Sequence, residues 1–119
     1  RVTAELADRH PDIPAIHFGV GCDHLLEAIV ESGVGVIGLD WRTSISDARR
    51  RCPSVAVQGN LDPTLVLAGR DVALAATDDV LADNGGHPGH IFNLGHGVPP
   101  TAEPAVLQAI VDRVHERTR

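Results

Sequence analysis

Four times along this chain a short apolar run gives way to a glycine-bearing or polar turn, and a helical pattern follows. This alternation is the strongest constraint on the fold. Strands separated by helices pair in parallel, because each crossover returns the chain to the same end of the sheet. The first strand is read near residues 13–19. Its helix, near 24–32, carries an apolar face of Leu25, Leu26, Ala28 and Ile29, with Gly33 as its stop. The second strand is 34–39. Ser44, with Asp47 three residues on, fits a capping box for the next helix. Arg49, Arg50 and Arg51 fall in that helix's last turn, where cations complement its dipole. The third strand, 55–58, leads into Gly59-Asn60-Leu61-Asp62-Pro63, in which Asp62 is a good N-cap and Pro63 a good first helical residue. A helix over about 72–82 precedes the Asn84-Gly85-Gly86 break. The fourth strand holds Ile91, Phe92 and Leu94. Pro104 then opens a final helix with Leu107, Ile110, Val111 and Val114 on one face.

Parallel pairing puts all four turns that follow strands on one face. They carry Cys22, Asp23 and His24; Asp40, Trp41 and Arg42; Asn60 and Asp62; and Asn93 and His96. The turns before the strands are plainer, so chemistry is expected at the C-terminal ends of the strands, as in βα barrels and open α/β sheets. A complete barrel needs about 250 residues. At 119 residues, four βα units are about half of one. The fold class is therefore α/β, with an open parallel sheet and half of a (β/α)8 TIM barrel as the two architectures that fit. Residues 3–10 read as the tail of a helix whose start is missing, and the chain is read as a piece of a longer one.

A hydrophobic content of 43% with 22% charged residues indicates a folded chain. The net charge of −6, with no basic stripe, argues against a nucleic-acid surface. No apolar run approaches the roughly 18 residues of a membrane span. Cys22 and Cys52 make no disulfide framework, which favours a reducing cytoplasm.

Within this frame His96 stands out. It follows a strand and lies between Gly95 and Gly97, which permit positive φ and close approach to a ligand. Its imidazole can bind an anion or relay a proton near neutral pH. His87, His90 and His115 are expected to face solvent. Asp40-Trp41-Arg42 has two readings: an ion pair bridging neighbouring loops, which is the preferred one, or an Arg42 that holds a substrate carboxylate. Gly33-Val34-Gly35-Val36-Ile37-Gly38 matches a dinucleotide fingerprint literally, but it runs into a strand instead of following one. Gly19-Val20-Gly21 has the better context yet lacks the third glycine. His17, Cys22 and His24 could suggest zinc. Cys52, however, falls at the opposite end of the sheet from Cys22, so the two thiols cannot share a closed site, and both are read as buried small side chains. No metal site is assigned.

Three segments, Val36-Ile37-Gly38-Leu39-Asp40-Trp41, Gln58-Gly59-Asn60-Leu61-Asp62-Pro63 and Asn93-Leu94-Gly95-His96-Gly97, occur in that order. Together with the terminal helix ending Val114-His115, they resemble the uroporphyrinogen decarboxylase family. The resemblance covers nearly the whole chain. It implies that residues 1–119 are the C-terminal part of a single barrel domain, strands five to eight. It also implies a cofactor-independent carboxy-lyase of porphyrin and heme biosynthesis, which removes four acetate carboxyl groups from uroporphyrinogen III to give coproporphyrinogen III. By the same resemblance His96 is a substrate contact, binding a carboxylate, with proton delivery as a weaker role. The full-length protein would be a cytoplasmic homodimer whose partner is the porphyrinogen, with no nucleic acid and no membrane. The family's arginine pair, its aspartate, its tyrosine and its serine or threonine have no matching motif here, and the chain contains no tyrosine. Alone it is expected to be inactive. Two alternatives stand beside this reading: a zinc-dependent cobamide methyltransferase-like member of the same superfamily, and an inactive half-barrel that serves as an interaction piece.

Overall fold

The computed structural model describes residues 2–119. The element order is α1 (Val2–Arg9), β1 (Ile16–Phe18), α2 (Leu26–Glu31), β2 (Val36–Gly38), α3 (Ile45–Arg51), β3 (Ala56–Gln58), α4 (Pro63–Leu67), α5 (Arg70–Asn84), β4 (His90–Ile91) and α6 (Pro104–Arg117). The four strands form one sheet in the order β1-β2-β3-β4, and every pair is parallel. This is the expected run of βα units.

Register explains where the core lies. Side chains alternate between the faces of a strand, and Ile37 and Val57 stand side by side on the face that the helices cover. They are buried with Leu26, Val34, Leu39, Ile45, Ala48 and Cys52. A second cluster, of Leu61, Val66, Ala73, Leu74, Leu94, Val106 and Ile110, packs α4, α5 and α6 together. The opposite face of the sheet carries Ile16, Phe18 and Ile91, which are 48%, 44% and 43% exposed. In a closed barrel that face would be the interior.

Several boundaries depart from expectation. The helix after β1 begins as a 3₁₀ turn over Asp23–Leu25 and becomes α-helical only at Leu26. No side chain caps either start, and unsatisfied N–H groups at a helix start favour the tighter turn. Asp62 and Pro63 open α4 as expected, with the Asp62 carboxylate accepting from the Thr64 N–H at 2.8 Å. That helix is a separate single turn, and α5 starts at Arg70. β4 is shorter than expected. Leu94 joins the sheet only through an isolated parallel bridge to Leu61, and Phe92 falls between the two pieces.

The capping box at α3 is half formed. Ser44 Oγ accepts from the Asp47 N–H at 3.2 Å, but the Asp47 carboxylate turns away to Arg50 and Arg51. Asp83 on α5 adds a cap of another kind: its carboxylate accepts from the N–H of Ile45, the first helical residue, at 2.6 Å and from the Ser44 hydroxyl at 3.2 Å. Burial pushes the Asp83 carboxyl up, but hydroxyl and N–H donors from Ser46, Ile45 and Ser44 outweigh it and hold it below the usual carboxylate value. A depressed carboxyl stabilises the fold above its unfolded value, near 3.8, and loses that contribution as pH falls through the folded value. Asp83→Asn is therefore expected to lower stability at pH 7 and to flatten the loss of stability below pH 4. Urea midpoints at pH 7 and pH 3 measure both. An unchanged acid slope would remove Asp83 from the cap.

The arginine run behaves as a structural feature. Arg51 pairs with Glu27 and Asp23 across to the α2 unit, at 2.8 and 2.9 Å. Arg49 donates to the buried Asn84 at 2.9 Å.

Candidate functional site at the strand ends

The turns after β1, β2, β3 and β4 gather on one face, and polar contacts that converge on Asp40 join the first three. Asp40 is 2% exposed. Its carboxylate accepts from the Gly21 N–H of the first turn at 2.6 Å, from the Arg42 N–H at 3.0 Å and from the Thr43 hydroxyl at 3.4 Å. Burial pushes this carboxyl up. The Gly21 and Arg42 N–H groups, the Arg42 charge and the Thr43 hydroxyl together outweigh that and hold it below the usual value. The main-chain oxygen of Asp40 accepts from Asn60 Nδ2 of the third turn at 2.8 Å, and Asn60 also reaches the Thr43 carbonyl.

The fourth turn is fixed to the third by main chain: Leu61 N–H to Asn93 O at 3.1 Å, and Gly95 N–H to Leu61 O at 2.8 Å. Gly95 then lies flat on the Asp40–Trp41 peptide, where a Cβ would fall 2.9 Å from Trp41 Cα and 3.0 Å from the Asp40 carbonyl carbon. This corrects the expected role of the two glycines. Among the glycines with positive φ, neither Gly95 nor Gly97 appears. Gly95 is needed because another backbone passes close by.

His96 is exposed at the centre of this face. Its ring stands edge-on to Phe18 and to Trp41, with ring centroids 6.3 Å away in both cases. Phe18 belongs to β1, in register with Gly38. A Cβ at residue 38 would come within 3.0 Å of Phe18 Cβ, so the bare glycine leaves the phenyl ring its place. Phe18 escaped the sequence reading, although the alternation of side chains along β1 and β2 points to it.

Trp41 carries a second contact. The Arg42 guanidinium lies 4.6 Å from the centroid of its indole, a cation–π arrangement. The expected Asp40–Arg42 ion pair is not formed. Asp40 does bridge neighbouring turns, as the structural reading required, but through N–H and O–H donors. The Arg42 side chain is exposed, and among the described residues it has no carboxylate within ion-pair distance. A cleft of about 370 Å³ runs from Trp41 and Arg42 past Asn60 and Asp62 to Asp79 and Asp83 on α5. His96 does not line it.

Other histidines and cysteines fall into place around this arrangement. His87 and His115 are exposed, as expected, but His90 is not. It is half-buried, with Nε2 2.7 Å from Gly59 O. Burial first, and then the Arg49 charge, lower its pKa against the opposing effect of the Gly59 carbonyl. It stands on β4 beside Val57, on the helix-covered face, and that alternation overrides its polarity. Cys52 is buried as expected. Cys22 is only half-buried, with its thiol turned to Val20 O at 3.6 Å. His17 is on the covered face beside Ile37. Among the described residues no three His, Cys, Asp or Glu side chains come together as a metal-ligand set. Among them, too, no helix is long and apolar enough to cross a membrane.

Consecutive parallel βα units, with polar side chains gathered at the strand ends, are the arrangement of a segment of a (β/α)8 barrel. The family model for uroporphyrinogen decarboxylase matches residues 1–117. The chain belongs to that family. It is 49% identical to the uroporphyrinogen decarboxylase of Thermobifida fusca over 118 residues, which are 98% of this chain and 32% of that protein. It is 52% identical to that of Salinispora tropica, covering 98% and 31% of the two chains. For Streptomyces coelicolor the identity is 48%, with 89% and 30% covered. The chain thus spans about a third of the length of the curated relatives it matches.

Proposed function

We propose that this chain is the C-terminal part of a uroporphyrinogen decarboxylase and forms one wall of its substrate site, with His96 binding a substrate carboxylate. Identity near one half over 98% of the chain to proteins of that name carries the reading. The place of His96 supports it further: an exposed imidazole at the strand ends, held between two aromatic rings. A flat, apolar macrocycle edged with carboxylates suits such a wall. The rings offer apolar surface, and the imidazole in its protonated form offers a charge-assisted hydrogen bond to an acetate oxygen.

The reaction needs no cofactor in principle. Protonating the pyrrole carbon next to the acetate-bearing one creates an electron sink. The bond to the carboxyl carbon then breaks, CO2 leaves, and its electron pair returns to the ring as an exocyclic methylene. Protonation of that methylene, with loss of the proton first added to the ring, gives the methyl group. The protein must hold several carboxylates, bind the inner N–H groups and supply protons. His96 serves the first of these tasks. The others fall to residues outside this chain, so the 119 residues alone are expected to turn over no uroporphyrinogen. The full-length protein is placed in the cytoplasm as a homodimer.

His96→Ala in the full-length protein is expected to raise KM for uroporphyrinogen roughly tenfold, the worth of one hydrogen bond to a charged group. Because the side chain is exposed, the melting temperature is expected to stay in place. Steady-state kinetics on the folded variant measure this, and an unaltered KM and kcat would take His96 out of the site.

A further inference from the structure

The Asp40 carboxylate is nearly inaccessible to solvent, and among the described residues it has no cation within ion-pair distance. A buried charge with no direct ion pair, and only the Arg42 charge nearby, is expensive, and a neutral amide would remove that cost. What the charge provides is strength in the hydrogen bonds it accepts, roughly twice that of neutral pairs. Those bonds tie the first turn, at Gly21, to the second. The carbonyl of the same residue holds Asn60 of the third turn, and the peptide that follows it supports Gly95 of the fourth.

All four turns therefore meet at one residue. His96 directly follows Gly95, and Trp41, against whose ring it stands, directly follows Asp40. A shift of residue 40 would move both the Trp41 ring and the backbone that carries His96.

We propose that Asp40 is a positioning residue: its carboxylate ties the first turn to the residue whose main chain meets the third and fourth, and so sets the place of His96 between Phe18 and Trp41. This rests on the reading of His96 as a substrate contact only for its effect on turnover, since the placement itself is a property of the fold. Loss of the charge loosens the turns, and a histidine displaced by a fraction of an ångström meets the substrate less well.

The test uses the full-length protein with Asp40→Asn, His96→Ala and the double variant. Asp40→Asn is expected to raise KM by about tenfold, with kcat changed far less. If Asp40 acts through His96, the double variant loses no more than His96→Ala alone. Losses that multiply would overturn the proposal, as would an Asp40→Asn enzyme with unaltered KM where His96→Ala raises it. Asn60→Ala, which cuts only the tie to the third turn, is expected to act in the same direction more weakly. It serves as the second variant where Asp40→Asn does not fold.

An independent readout needs no substrate. With 13C-labelled histidine, the His96 signal is identified by its loss in His96→Ala, and its chemical shift reports the flanking rings. Asp40→Asn is expected to move that signal. If it moves while His96→Ala leaves the kinetics unchanged, the positioning stands and the substrate role of His96 falls. If the signal stays in place, the positioning falls, whatever the kinetics show.

Discussion

Replacing Gly95 with alanine is expected to cost the fold about 3 kcal/mol, because the new methyl group has no side chain to push aside. The atoms it meets are main chain: Trp41 Cα at 2.9 Å and the Asp40 carbonyl carbon at 3.0 Å, with the Trp41 amide nitrogen nearer still. Neither can rotate away. Relief requires the fourth turn to lift off the second, which stretches the 2.8 Å bond from the Gly95 N–H to Leu61 O and carries His96 outward. Gly97→Ala is the matched control. It lies two residues on in the same motif, has nothing within 4 Å of its Cβ position and is not among the positive-φ glycines. Its expected effect is within about 0.5 kcal/mol. Urea denaturation of both variants measures the difference, and equal stabilities would mean that the fourth turn does not rest on the second.

The two glycines also show what the sequence can and cannot carry. The motif singles out both for conformational freedom, whereas only one is required, and for a contact with residues more than 50 positions earlier. Local patterns survived well. The parallel βα order and the Asp62–Pro63 helix start are set by neighbours within a turn or a pleat, and these are legible. The apolar helix faces hold only in part: Leu26 and Ile110 are buried, but Leu25 and Val111 are exposed. What failed to read ahead was long-range. The Asp40 carboxylate finds Gly21, 19 residues back, and its carbonyl finds Asn60, 20 residues on. A further cap on α3 comes from Asp83, 38 residues from the Ile45 N–H it accepts. His90 was misread because its polarity was weighed without its strand register. Phe18 was available to the same kind of argument, since its β2 neighbour in register is a glycine. His96 itself, given by its place after a strand, does lie exposed on the expected face.

Leu39→Ala is expected to have the second large effect, a loss of about 2–5 kcal/mol. Leu39 is 2% exposed and belongs to the cluster formed with Ile37, Ile45, Ala48 and Val57. Its N–H is bonded to Gln58 O at 2.8 Å, which fixes the backbone beside the third strand. The main chain therefore cannot collapse into the space left by the lost side chain, and the site falls at the costly end of such substitutions. For a domain with 5–15 kcal/mol in total, this is a large fraction, and a fall in Tm of roughly 8–20 °C follows. Leu67→Ala, at a position 50% exposed, is the control and is expected to change little. A loss no larger than the control's would mean that the helix-covered face is not the core. Because Leu39 points to the helices and Asp40 to the turns, the two neighbours have separable duties. A Tm that falls as expected while the His96 signal keeps its position would show that Leu39 holds the sheet without setting the place of His96.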